Sequence, residues 1–238
     1  MLHLKVDNNK VFKTLGLSII AFMWLAGCSA NLSYLPETHP LNLGQRPVAD
    51  LALDIPNLGS CTDSQERTLR LNAAHPVTIL VHGCNGSAGR FRSLAELYAF
   101  HGQQAVCYSY DDRDSLVESA EKLVTAIDTL SAQLQAPTMS VVGHSMGGLV
   151  ARKALEYNPD NILNNNNKKI SLITVSAPLA GIEMAKTCGS TTYHWLSLGL
   201  VPATCWLITG DNWFEITSAS DFIKRPGQLL PSIDQYLK

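Results

Sequence analysis

An α/β fold on a mostly parallel sheet, with helices on both faces, is what this sequence predicts, and three observations predict it. Short apolar runs without alternation, Val77-Thr78-Ile79-Leu80-Val81 and Ile170 to Val175, mark strands buried on both faces, as parallel strands are. Between them lie segments whose apolar residues recur at helical spacing, so strand and helix alternate. The third is Gly143-His144-Ser145-Met146-Gly147, directly after the strand-like Met139 to Val142. It reads as a sharp strand-to-helix turn with Ser145 at its apex.

The elements follow in chain order. Lys5, Lys10 and Lys13 precede an apolar run from Leu15 to Ala26 that is too short to span a bilayer and fits an export signal over residues 1–27. Its end, Leu25-Ala26-Gly27-Cys28, resembles the bacterial lipobox, which implies lipidation of Cys28 and a membrane tether. With Ser29 after the Cys, the same resemblance implies the outer membrane. Residues 28–74 are Pro-punctuated and weakly patterned: a tether from Asn31 to Pro47, then an edge strand within Glu66 to Asn72.

From residue 75 onward order sharpens into one domain, 75–238. Val77–Val81 is a strand, Ser87 to His101 a helix with Phe91, Leu94, Ala95 and Tyr98 on one stripe, and Gln104 to Tyr110 a strand. Ser115 to Leu134 is the clearest helix, with Leu116, Ala120, Leu123, Ile127 and Leu130 in register and a Ser115/Glu118 capping box. A helix after Ser145 stops at Asn158-Pro159. The Asn164–Asn167 run is a solvated loop. After Ile170–Val175, Asp211 to Lys238 reads as helical turns and loop with no further strand, which leaves Ile170–Val175 as an uncovered edge.

A net charge of −2 and 16% charged residues provide no basic patch, which excludes nucleic acid as a partner. Cysteine spacing fits no metal site, and no cofactor motif is present. In an oxidising compartment the five cysteines after Cys28 imply two disulfides and one spare thiol, with fifteen connectivities open. Cys188–Cys205 closes a local loop, and Cys84–Cys107 joins two neighbouring strand ends.

The chemistry concentrates at Ser145. A turn this tight brings strand and helix backbones together, so the positions two before and two after the serine must be tiny, as Gly143 and Gly147 are. The helix that follows aims free N–H groups and a positive dipole end at whatever the serine attacks, as a carbonyl-attacking nucleophile requires.

Together, His82-Gly83 after one strand, the Ser145 turn after another and Thr174-Val175-Ser176-Ala177-Pro178-Leu179-Ala180-Gly181 after a third resemble the α/β-hydrolase superfamily, closest to bacterial lipases and esterases. The resemblance covers about residues 76–181. It implies a serine hydrolase that cleaves carboxylic esters, those of lipids foremost, through an acyl-enzyme on Ser145. It implies an oxyanion hole made by the backbone N–H groups of Cys84 and Met146. His82 and His144 shape their turns rather than act as the base, and Asp111 and Asp112 cap the next loop.

The same resemblance implies an acid and a histidine further along, in the order Ser, Asp or Glu, His. After Ser145 the only histidine is His194, in a stretch where lipases carry a cap or lid. Residues 182–210, with Trp195, Leu196, Leu198, Leu200, Val201 and Trp206, suit either a lid over a lipid cleft or ordinary cap core. Asp211, Asp221 and Asp234 follow no predicted strand. The fold is therefore expected to lack its C-terminal strands, and three readings stand open. The chain is a truncated or frameshifted hydrolase, it carries a rearranged triad using His194 and Asp211, or it keeps the scaffold as a binding lipoprotein without catalysis.

Overall fold

The computed structural model describes residues 46–238 except 166, 184, 189 and 190. Of residues 165, 191, 193, 194, 208, 209, 211 and 213 it describes the backbone alone. The expected signal, Cys28 and most of the expected tether lie outside the described residues.

Six strands form the main sheet: β2 (Leu58–Gly59), β4 (Val77–Val81), β5 (Gln104–Tyr108), β6 (Thr138–His144), β7 (Lys169–Val175) and β8 (Ile233–Leu237). Their order is β2-β5-β4-β6-β7-β8, with β2 antiparallel to β5 and every other pair parallel. β1 (Leu51–Leu53) and β3 (Leu69–Leu71) pair as a separate antiparallel ribbon. The stretch expected as tether and edge thus contributes three short strands, one of them to the main sheet.

Strand β4 has all five residues buried, as its unbroken apolar run requires of a strand covered on both faces. Helix α1 (Arg92–Phe100) sends Leu94, Ala95 and Tyr98 onto one face of the sheet with Leu80 and Val142. Helices α2 (Leu116–Gln133) and α3 (Met146–Ala154) cover the opposite face, where Leu116, Leu123, Ile127 and Leu130 are fully buried. Each such leucine stabilises the fold by about 2 kcal/mol through burial alone.

Helix α2 starts at Ser115 as the sequence predicts, and the Ser115 hydroxyl accepts from the Val117 N–H at 3.2 Å. The expected partner Glu118 is replaced by Glu215, from a hundred residues away. Its carboxylate accepts from Ser115 Oγ at 2.9 Å and from the Leu116 N–H at 2.6 Å. A negative group suits this helix end, and tertiary contact supplied a better placed one.

Three expectations fail. The chain does form a strand after β7: β8 runs parallel to it, so Ile170–Val175 is not an edge and a C-terminal strand is present. The sequence hides β8 because Ile233-Asp234-Gln235-Tyr236-Leu237 is an outer strand with two exposed polar residues at its centre, lacking the apolar run of a central strand. Asp234 lies within it and accepts from Ser171 Oγ at 3.2 Å.

The third is the disulfide. Cys107 pairs with Cys61, not Cys84, with Cα atoms 5.0 Å apart. Gly59 of β2 lies opposite Cys107, so Cys61 two residues on falls within reach. Leu80 is the β4 residue opposite Cys107, and Cys84 lies four residues beyond it on a loop. Cys84 is the free, exposed thiol. Cys188 and Cys205 are bonded as the local-loop reading expects.

Candidate active site

The parallel strands β4, β5, β6 and β7 end on the same side, where ligands bind in such sheets. Ser145 stands there between β6 and α3 with φ +53° and ψ −127°, a conformation that costs a side-chain-bearing residue energy. Its amide donates to the Val175 carbonyl of β7 at 2.8 Å, and its carbonyl accepts from Gly148 at 2.9 Å. These bonds hold the strain in place.

The flanking glycines show why nothing larger fits. A Cβ on Gly143 would lie 2.5 Å from Gly148 Cα, and one on Gly147 would collide with the Val81 and His82 carbonyl oxygens. Gly83 faces the serine directly, since a Cβ there would come within 2.8 Å of Ser145 Cβ and 3.3 Å of its Oγ. The loop after β4 is thereby laid against the Ser145 turn by the absence of side chains.

That loop carries Cys84, and α3 opens with Met146, which is 3% exposed. The Gly86 N–H donates to the Gly83 carbonyl at 3.0 Å, closing a turn around Cys84 and Asn85, with Asn85 at φ +53°. Desolvation, then the charge of Asp112, pushes the Cys84 thiol up, so it stays protonated at neutral pH.

His82 lies buried behind the loop with its Nδ1 at 3.1 Å from the Gly83 carbonyl, which can only accept. Nδ1 therefore carries a proton. Burial holds the His82 pKa below the usual imidazole value, and its ring stacks on Tyr110 at 4.5 Å. The Tyr110 hydroxyl donates to the His82 carbonyl at 2.7 Å, gripping the start of the loop. Burial pushes the Tyr110 phenol far up, so it remains a donor throughout the working pH range.

His144 ends β6 in register with Val175 and is exposed. Asp111 caps the loop after β5, accepting from the Arg113 N–H at 2.9 Å. Asp112 Oδ2 is buried without a hydrogen-bond partner among the described residues. Asp221 starts the short helix α7 (Asp221–Lys224) and lies 3.4 Å from Arg225. The side chains of His194 and Asp211 lie outside the described residues, and among those described no side chain hydrogen-bonds Ser145 Oγ.

Between β7 and α7, where a cap is expected, lie α4 (Ala185–Cys188), α5 (Thr191–Leu196), α6 (Leu200–Thr209) and a 3₁₀ turn, Gly210–Phe214. Sequence reading missed the groups that tie it down. Arg113 donates to the Leu207 and Trp206 carbonyls at 2.9 and 2.8 Å, and Asn212, wholly buried, donates to the Asp112 carbonyl at 2.7 Å. Both partners are backbone carbonyls distant in sequence, so no motif announces them. Among the described residues no group of three His, Cys, Asp or Glu is placed to hold a metal, and no helix is long and apolar enough to cross a membrane.

A mostly parallel sheet in this order, with a strained serine between β6 and α3 at its carboxyl edge, defines an α/β-hydrolase. The family model described as "Putative serine esterase (DUF676)" matches residues 72–211, more than half of the chain, and the chain belongs to that family.

Comparison with curated proteins found no match. Among solved structures, the mature lipase BlEst2 of Bacillus licheniformis is 18% identical over 70% of this chain and 61% of its own, with a TM-score of 0.46. Its propeptide form is 19% identical over 70% of this chain and 33% of that one, TM-score 0.49. A monoacylglycerol lipase of Paleococcus ferrophilus is 24% identical over 50% and 49%, TM-score 0.35. The chain thus spans less than two thirds of the length of these relatives. Strand order and the family match carry the assignment.

Proposed function

We propose that this chain is a serine hydrolase of carboxylic esters in which Ser145 is the nucleophile and the backbone N–H groups of Met146 and Cys84 receive the oxyanion. The observation that carries the reading is the Ser145 backbone at φ +53°, held by bonds to β7 and Gly148 beside a loop pressed onto it through Gly83. Strain of this kind is kept where it orients a reacting group. Ser145 Oγ attacks the ester carbonyl, the alcohol leaves, and water releases the acyl group. Two aimed backbone donors lower the barrier by about 3 kcal/mol each.

Lipid esters are the substrate class we favour, because the cap exposes Trp195, Leu196, Leu198 and Leu200. Lipidation of Cys28 in an exported outer-membrane protein belongs to the same proposal, and metabolic labelling with a fatty-acid probe should be lost in Cys28→Ser.

The first test is a fluorophosphonate probe on the purified chain. Ser145-dependent labelling, absent in Ser145→Ala, is expected, with ester turnover reduced by about 10⁴-fold or more in the variant. A folded wild-type protein that takes no label would sink the hydrolase reading. It would favour the alternative of a binding lipoprotein on the same scaffold.

A further inference from the structure

Asn212 sits after the cap helices, far from Ser145 in sequence, yet it is 0% exposed and reaches the nucleophile's own helix. Its amide Nδ2 donates to the Asp112 carbonyl at 2.7 Å, lies 3.4 Å from the Asp114 carbonyl, and contacts Met146 Sδ at 3.7 Å. Its Oδ1 has no donor among the described residues. A buried amide left half satisfied destabilises a fold, by about 1–3 kcal/mol, so the residue needs a reason to be there.

The surroundings supply one. Arg113, in the loop that Asn212 grips, forks onto the last carbonyls of α6 and lies 5.1 Å over the Trp206 ring. Gly210, at φ +66°, lets the chain pass so close that a Cβ would come within 2.5 Å of Arg113 Cβ and of its carbonyl oxygen. Loop 111–114 is therefore fastened to the cap segment by the Arg113 fork, by the close pass of Gly210 and by Asn212, which also reaches Met146.

We propose that Asn212 is a positioning residue for the oxyanion site, fixing Met146 against loop 111–114, and that Arg113 hangs the cap from the same clasp. The proposal rests on the hydrolase reading. It assigns different consequences to the two side chains: Asn212 acts through Met146 on the oxyanion site, Arg113 on the cap that would cover the acyl chain.

The experiment uses the full chain with Asn212→Leu, Asn212→Asp and Arg113→Met, checked for folding by circular dichroism and denaturation. Fluorophosphonate labelling rate, kcat and KM on short and long p-nitrophenyl esters, and hydrogen exchange are then measured. Both Asn212 variants should lower kcat and labelling about 10- to 100-fold with KM little changed, because a small displacement of a transition-state donor acts on chemistry. They should also speed amide exchange at 145–150. Arg113→Met should raise KM for long esters, speed exchange in 200–214 and spare kcat on short ones.

Folded Asn212 variants that label at the wild-type rate, or faster exchange confined to the cap, would overturn the proposal. An Arg113→Met protein indistinguishable from Asn212→Leu would overturn the division of roles. If wild type takes no label, the hydrolase reading fails on its own account, while exchange at 145–150 still decides whether Asn212 holds the start of α3.

Discussion

Two neighbouring regions, the serine turn and the cap, hold their shapes by opposite means. Around Ser145 the backbone packs on backbone: Gly143 against Gly148, Gly147 against the carbonyls of residues 81 and 82, Gly83 against the serine. Met146, Leu149 and Val150 behind it are buried. The cap leaves Trp195 80% and Leu198 93% exposed, and it is tied by the Cys188–Cys205 bond, the Arg113 fork and Asn212. In the proposed hydrolase the nucleophile must be held within a fraction of an ångström, and close packing of this kind achieves that. A segment held by a few point attachments opens at lower free energy than one packed along its length.

Disulfides sharpen the contrast most. Cys61 and Cys107 are 46 residues apart and join the main sheet to the segment before it, so Cys61→Ala with Cys107→Ala should cost about 4 kcal/mol in urea unfolding. Cys188 and Cys205 are 17 apart, and the same loop argument assigns their bond about 3 kcal/mol. That effect should stay local: thermolysin should cut residues 182–210 faster while the global midpoint holds. A global loss as large as that of the sheet pair would mean that the cap unfolds with the core.

Glycine substitutions probe the same divide. Gly147→Ala puts a methyl group into two backbone carbonyls and should destabilise by about 3 kcal/mol, read by thermal or urea unfolding. Gly199→Ala, at φ +86° with nothing within 4 Å, meets only the backbone penalty of about 1 kcal/mol. Equal effects would erase the distinction between packed and tethered regions.

The smallest effect is a pH dependence. Burial keeps the His82 pKa below its unfolded value of 6.5, so between the two values the unfolded chain binds more protons than the folded one. Its contribution to stability is therefore complete above pH 6.5 and is lost as pH falls toward the folded pKa. Unfolding free energies at pH 7.5 and 5.5 should differ less in His82→Gln than in wild type. An unchanged difference would place the pH response elsewhere.

Much of the sheet and the serine turn could be read directly. β4, β6 and the 143–147 turn declare themselves because their signal is local: an apolar run, then glycines at fixed distances from a serine. β8 escaped because its burial on β7 comes from a neighbour and leaves no apolar run behind. The Cys61–Cys107 bond escaped because β2, which sets its register, is two residues long. Glu215 took the place of Glu118 at the start of α2 for a similar reason, since spacing along a chain says nothing of what folds back onto a helix end.

The sequence by itself determined the α/β class, the serine at the strand-to-helix turn, and the small residues that permit that turn, because each depends on conformational demands of adjacent residues. Only the tertiary structure decided that Cys107 meets Cys61, where the outermost parallel strand lies, and that Arg113 and Asn212 fasten the cap to the loop beside Met146. The Arg113 and Asn212 contacts to Leu207, Trp206 and Asp112 join residues more than ninety positions apart through backbone carbonyls. A carbonyl is present at every residue, so its partner becomes visible only once the chain is folded.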